Sequence, residues 1–327
     1  MYGGRRSGAT GRRAGARKMK ILVMGAGAVG GFFGARLIAA GEEVVFCARG
    51  DNLRAIRERG LELESIRGDV NVHPAVTGDP REFAPYDLIL FCVKAYDTDA
   101  AAEAIKGCLA PGGAVLTLQN GVENEARLAE ILGHDAVMGG NARVGAELVA
   151  PGRIVHLSSG HIDFGELDGR DTERARSIAA AFQRAGILGE CTSRIRSLRW
   201  DKLVWNGAFN TVATLTRRRV GEILDDPEAL RLVCTLMREI IDVARADGAD
   251  LGYDRIDFYL AHSRKNLRAL KTSTQQDLER GRRLEYEALA GAVVRAARRH
   301  GVAAPAMETI YALIRLLAAG ASTEGRG

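Results

Sequence analysis

The run Gly25-Ala26-Gly27-Ala28-Val29-Gly30 constrains this chain more than any other feature. It follows a short apolar stretch, Lys20–Met24, and precedes a helical pattern over Phe32–Ala40 that Gly41 closes. A second apolar stretch, Val44–Cys47, comes next. Strand, tight turn, helix and strand within about 30 residues form a βαβ unit, and such units build parallel sheets. In that setting Gly25 permits the tight turn, and Gly27 lets backbone N–H groups approach a pyrophosphate. Gly30 allows close packing of helix on sheet. The helix N-terminus adds a positive dipole end. Gly25, Ala26, Gly27, Ala28, Val29 and Gly30 are therefore expected to cradle a dinucleotide.

The alternation continues. Leu53–Arg59, Ala100–Leu109 and Glu123–Leu132 read as helices. Leu61–Ile66 and Val70–Val76 read as strands around the Gly68-Asp69 turn, followed by Asp87–Val93 and Ala114–Leu118. The continuous apolar run from Asp87 to Val93 suits a strand buried on both faces. Ala146–Val149 and Arg153–Leu157 flank Pro151-Gly152 as a hairpin. Asp171–Gly186 reads as a helix and Ile187–Cys191 as the last strand. From about Ser193 onward the strand patterns stop. Arg196–Thr216, Pro227–Asp247, Asp254–Arg268, Glu285–His300 and Pro305–Ala318 carry helical periodicity instead. The expected fold is α/β: an N-terminal Rossmann-type doubly wound sheet followed by an all-helical C-terminal domain. The expected boundaries are a disordered basic tail over 1–18, the nucleotide-binding domain over 19–192, the helical domain over 193–320 and a tail over 321–327.

The length of 327 residues accommodates two domains. With 46% hydrophobic and 27% charged residues, the chain can bury a large core, which excludes general disorder. It has no apolar run long enough for a membrane-spanning helix, and its Arg/Gly-rich start lacks the apolar centre of a secretion signal. The net charge of +5 belongs to Met1–Lys18, which holds six basic residues and no acid; the remainder has 40 basic against 41 acidic residues. Nucleic acid is accordingly an unexpected partner for anything but that tail. Five scattered cysteines without a C-x-x-C pair, and six histidines without metal spacing, read as free thiols in a cytoplasmic protein with no metal site.

NAD sites usually place an acid at the end of the second strand, to bind the ribose 2′-hydroxyl. Here that strand ends Cys47-Ala48-Arg49, and an arginine fork suits a 2′-phosphate, so NADP(H) is the expected cofactor. Lys94 and Asn120 also follow strands, on the edge where open α/β sheets bind ligands. In the helical half, Lys202, Asn206 and Asn210 recur at four-residue spacing in an otherwise apolar helix. That spacing puts them on one narrow stripe, which suggests a cleft. A lysine desolvated there would have its pKa lowered, as suits a proton donor to a carbonyl oxygen. Ser273 and Glu285 by themselves read as a helix cap and a first-turn acid.

Taken together, GAGAVGG, the CAR strand ending, VKAYDT, LQNGVENE, WDKLVWNGAFN and STQQDLERGRRLEYEALAG make the chain resemble the ketopantoate reductase (2-dehydropantoate 2-reductase) family from about Met19 to Ala318. The resemblance implies a helical domain of the 6-phosphogluconate dehydrogenase C-terminal type, NADPH as cofactor, and reduction of ketopantoate to pantoate on the way to pantothenate and coenzyme A. It implies that Arg49 holds the 2′-phosphate and that Lys94 and Asn120 line the junction of cofactor and substrate. It makes Lys202 the general acid, and gives substrate polar groups to Asn206 and Asn210 and the substrate carboxylate to Ser273. Glu285 would orient the substrate hydroxyls or the lysine. A homodimer is compatible with it. Two family asparagines are replaced here, by residues within Leu270-Lys271-Thr272 and within Arg217–Val220. Another small branched 2-oxo acid is therefore an alternative substrate, and a non-catalytic NADP(H)-binding sensor is an alternative of another kind.

Overall fold

A computed structural model describes residues 18–324, so nearly all of the basic N-terminal tail lies outside the described residues. The first half comprises β1 (Lys20–Met24), α1 (Ala28–Ala39), β2 (Glu43–Cys47), α2 (Gly50–Arg59), β3 (Leu61–Ser65), β4 (Val70–Val72), β5 (Ala75–Thr77) and β6 (Tyr86–Phe91). It continues with α3 (Thr98–Ile105), β7 (Leu109–Thr117), α4 (Asn124–Leu132), β8 (Val137–Ala150), β9 (Arg153–Glu166) and α5 (Glu173–Arg184). The second half comprises α6 (Ile195–Trp205), α7 (Thr211–Thr216), α8 (Val220–Asp225), α9 (Pro227–Ala246), α10 (Asp254–Asn266), α11 (Ser273–Glu279), α12 (Ala292–His300) and α13 (Pro305–Glu324). Helical backbone in α13 thus extends past Ala318, into the stretch expected to be a tail.

The nine strands form one sheet in the order β4-β3-β9-β8-β7-β6-β1-β2-β5. Only β3–β4 and β8–β9 pair antiparallel. Within it, β5-β2-β1-β6-β7-β8 is the doubly wound order, which reverses direction between β1 and β6 and opens a crevice there. The glycine turn after β1 and Lys94 after β6 both stand at that crevice. Helices cover both sheet faces, with Phe32, Phe33 and Leu37 of α1 on one side and Ala101, Ile105 and Leu128 on the other. The helical half has its own core, in which Val233, Leu236, Met237 and Ile240 of α9 pack with Trp200, Leu203 and Phe209. Each such side chain contributes about 1.5–3 kcal/mol by leaving water. No helix among the described residues is long and apolar enough to cross a membrane.

Five local expectations are corrected. The strand expected over Val70–Val76 splits at His73-Pro74: β4 returns antiparallel on β3, while β5 joins β2 at the opposite sheet edge. Proline lacks a ladder donor, so one continuous strand is interrupted there. Ile187–Cys191 makes only the isolated bridges His161–Leu188 and Phe164–Cys191, because Gly189, at φ +121°, turns the backbone out of extended geometry. The short hairpin expected around Pro151-Gly152 is 14 residues long on each side. The helix expected over Arg196–Thr216 contains a wide π turn at Asn206–Asn210, and that expected from Glu285 begins with another at Glu287–Gly291.

Candidate active site

The glycine turn has the geometry that a phosphate cradle requires. Gly25 sits at φ +102°, a backbone angle that other residues rarely adopt. A Cβ on Gly30 would lie 2.1 Å from Gly25 O and 2.8 Å from Val23 Cγ1, so only glycine lets α1 approach β1 this closely. A Cβ on Gly27 would meet nothing within 4 Å. The space beside Gly27, at the N-terminus of α1, is open to a ligand, and the turn therefore fits a dinucleotide pyrophosphate. Asn52 steadies it, donating from Nδ2 to Ala26 O at 2.6 Å and accepting at Oδ1 from Gly152 N at 2.8 Å.

Arg49 caps the start of α2, directly beyond β2, with its side chain exposed and no ion-pair partner among the described residues. Lys94 follows β6, but its ammonium is engaged by the helical half, 2.7 Å from Glu285 Oε2 and 2.8 Å from Asp277 Oδ2. The Ala95 N–H donates to Glu285 Oε1 at 3.0 Å. Burial alone would lower the Lys94 pKa; the two carboxylates outweigh it and hold the group above the ordinary lysine value.

A small pocket joins the two halves. Gln119, Asn120, Gly121, Gly140 and Asn141 line it from the sheet, and Arg199, Lys202, Leu203 and Asn206 from α6 and the turn after it. Lys202 donates from Nζ to Ala142 O at 2.6 Å. Burial, reinforced by the positive charges of Arg199 and Arg143, lowers the Lys202 pKa to about 7, against a smaller upward pull from Glu285. At neutral pH such an ammonium gives up its proton readily.

Lys202, Asn206 and Asn120 thus come together as the sequence suggested. Asn210 and Ser273 do not join them on this pocket. Asn210 ends the π turn that Asn206 begins, and it is buried outside the pocket lining. Ser273 is exposed at the first residue of α11, and the cap is Thr272, whose hydroxyl accepts from Gln275 N. Glu285 faces Lys94 and lines a neighbouring cavity of about 280 Å³.

Three further residues escaped sequence reasoning. Asp277 is the second carboxylate on Lys94. Asn141 lines the Lys202 pocket from β8. Arg199, one helical turn before Lys202, is buried against Glu125, and its Nη atoms approach carbonyls of Gly121, Gln119 and Gly140. It thereby braces the backbone on both sides of Asn120. The available signals were a lone asparagine in a Gly-Gly-Asn-Ala strand and an arginine on the buried side of an apolar helix.

The chain is similar to known proteins over most of its length. The family model described as "Ketopantoate reductase PanE/ApbA" matches residues 21–169, and that described as its C-terminal part matches residues 194–318. The 2-dehydropantoate 2-reductase of Halobacterium salinarum is 34% identical over 304 residues, covering 91% of this chain and 98% of that protein. Its counterpart from Archaeoglobus fulgidus is 32% identical over 303 residues, with 91% and 98% coverage. Among solved structures, a PanE/ApbA family ketopantoate reductase from Ralstonia eutropha JMP134 superposes with a TM-score of 0.86 at 34% identity, covering 93% of this chain and 100% of that one. The 2-dehydropantoate 2-reductase from Geobacter metallireducens GS-15 gives 0.87 at 34% identity, with 91% and 99% coverage.

Proposed function

This chain belongs to the ketopantoate reductase family, and from that premise we propose that it reduces 2-dehydropantoate to pantoate with NADPH. The observation that carries the reading is that Lys202, from the helical half, and Asn120, from the end of β7, line one pocket beside the sheet crevice. We place the division of labour at 192–193, with dinucleotide binding before it and substrate binding after it.

When bound, the dinucleotide supplies a hydride to the keto carbon. The residues of this chain do the rest. Backbone N–H groups at the start of α1 would hold the pyrophosphate in the open space beside Gly27. Arg49 pairs with the 2′-phosphate, its unengaged guanidinium supporting NADP(H) over NAD(H). Asn120 and Lys94 border the junction of cofactor and substrate. Lys202 holds a proton at Nζ and delivers it to the keto oxygen as negative charge develops there, so that the ketone becomes a hydroxyl. Asn206, one turn along, hydrogen-bonds the substrate beside it, and the cleft keeps both reactants oriented. Orientation of this kind can lower a barrier by several kcal/mol, up to about 7–11 in well-aligned systems.

The test is oxidation of NADPH by the full-length protein with ketopantoate, against a panel of other 2-oxo acids and against NADH. Turnover that favours ketopantoate and NADPH supports the reading. Absence of turnover with every 2-oxo acid, or a preference for NADH, rejects the corresponding part.

A further inference from the structure

Asn141 is 2% exposed, yet its Oδ1 has no hydrogen-bond partner and its Nδ2 donates to none of the described residues. Nearly every buried polar side chain in a folded protein is paired, because an unpaired one forfeits its bonds to water without replacement. The cross-strand neighbour of Asn141 is Asp163, whose two oxygens engage Arg143 at 2.7 Å and His161 at 2.6 Å and not Asn141. The preceding residue, Gly140, is held against β7 so tightly that a Cβ there would lie 2.6 Å from Thr117 O. The backbone on which Asn141 stands is thus packed closely on β7.

The unpaired amide stands in the functional pocket. Asn141 lines it together with Asn120, Lys202 and Asn206. The carbonyl of the next residue, Ala142, is the acceptor for the Lys202 ammonium. A small molecule whose keto oxygen meets Lys202 thus places its remaining polar groups within reach of Asn141. A primary amide offers both an acceptor and donors. Keto and carboxylate oxygens only accept, whereas a hydroxyl does both and can satisfy either end of the amide.

We propose that Asn141 is a specificity-determining residue that selects 2-oxo acids bearing a hydroxyl group beyond the ketone, by hydrogen bonding to that hydroxyl. The inference rests on the reductase reading and deepens it. A site built to hydrogen-bond a hydroxyl discriminates strongly against the analogue that lacks it, because its own polar group is then left buried and unpaired.

The experiment compares kcat/KM for ketopantoate with that for trimethylpyruvate, which has the same carbon skeleton without the hydroxyl, in the wild type, Asn141→Ala and Asn141→Ser. The wild type should prefer ketopantoate by at least about tenfold, and Asn141→Ala should reduce that preference by about 10- to 100-fold, the worth of one buried hydrogen bond. Asn141→Ser, which can still donate and accept, should keep part of it. A wild-type ratio near one overturns the inference even if Asn141→Ala fails to fold. So does an Asn141→Ala enzyme with an undiminished ratio, including one whose only change is a higher KM for NADPH, which would assign the amide to the cofactor. A wild type that oxidises NADPH with neither acid removes the reductase reading and this inference with it. A working wild type with an unchanged ratio in the variants removes the inference alone.

Discussion

The ammonium of Lys94, at the end of β6, lies 2.7 Å from Oε2 of Glu285, a residue 191 positions further along the chain. Glu285 is buried, and its other oxygen accepts from the Ala95 N–H, so this single carboxylate ties a strand end of the sheet to the helical half. Glu285→Gln removes the charge while keeping the shape. It should lower stability by about 1.5–3 kcal/mol, as expected for a hydrogen bond to a charged group, read from the denaturation midpoint. Arg218→Ala, which breaks an exposed pair with Glu222, should cost at most about 1 kcal/mol. Equal losses in the two variants would show that the interdomain contact has no special weight.

Lys202 is the proposed proton donor. Lys202→Ala should reduce kcat by about 10²- to 10⁴-fold, the usual worth of a positioned general acid. The dissociation constant for NADPH, measured by fluorescence titration, should stay nearly unchanged. Turnover close to the wild-type value would remove Lys202 from the mechanism.

The depressed pKa of Lys202 has two consequences of opposite sign. The proposed proton transfer needs the protonated amine, so kcat/KM should fall about tenfold per pH unit above about 7. Stability moves the other way. The folded pKa of about 7 lies below the unfolded value of about 10.4, so the unfolded chain binds more protons between them. The cost of burying the ammonium is fully present below the lower value and is relieved as pH rises toward the upper one. Relative to Lys202→Met, the wild type should therefore gain stability from about pH 7 to about pH 10. A flat difference across that window would mean that the ammonium is well solvated.

Gly27 and Gly30 should separate binding from folding. Gly30→Ala puts a methyl 2.1 Å from Gly25 O and should cost at least about 1–3 kcal/mol. Gly27→Ala meets nothing within 4 Å and should cost less than about 1 kcal/mol. The same methyl would enter the space proposed for the pyrophosphate and should weaken NADPH binding by about tenfold or more. Thermal denaturation and NADPH titration of both variants check the pair.

Arg49 should set the choice of cofactor. Arg49→Gln should raise the KM for NADPH by about 10- to 100-fold, the worth of charge-assisted contacts to a phosphate, with little change for NADH. Parallel losses with both cofactors would count against a 2′-phosphate contact.

How much of this was legible in the sequence depended on distance along the chain. The glycine turn, the buried strand at Tyr86–Phe91 and the amphipathic helix at Pro227–Ala246 are written in neighbouring residues, through steric limits, periodicity and capping. These local rules determined the fold class, and the position of Arg49, Lys94 and Asn120 after strands marked them as candidates for the site. The sequence motifs also marked Lys202 and Asn206. Only the tertiary structure decided that Val70–Val76 would divide between opposite sheet edges, that a π turn would interrupt the helix at Asn206–Asn210, and that Glu285 and Asp277 would close on Lys94. It alone left the Asn141 amide unpaired beside Lys202. The physical reason is that partners far apart in the chain are chosen by packing of whole elements, and the burial and charge that shift a pKa or strand a polar group do not exist until those elements meet.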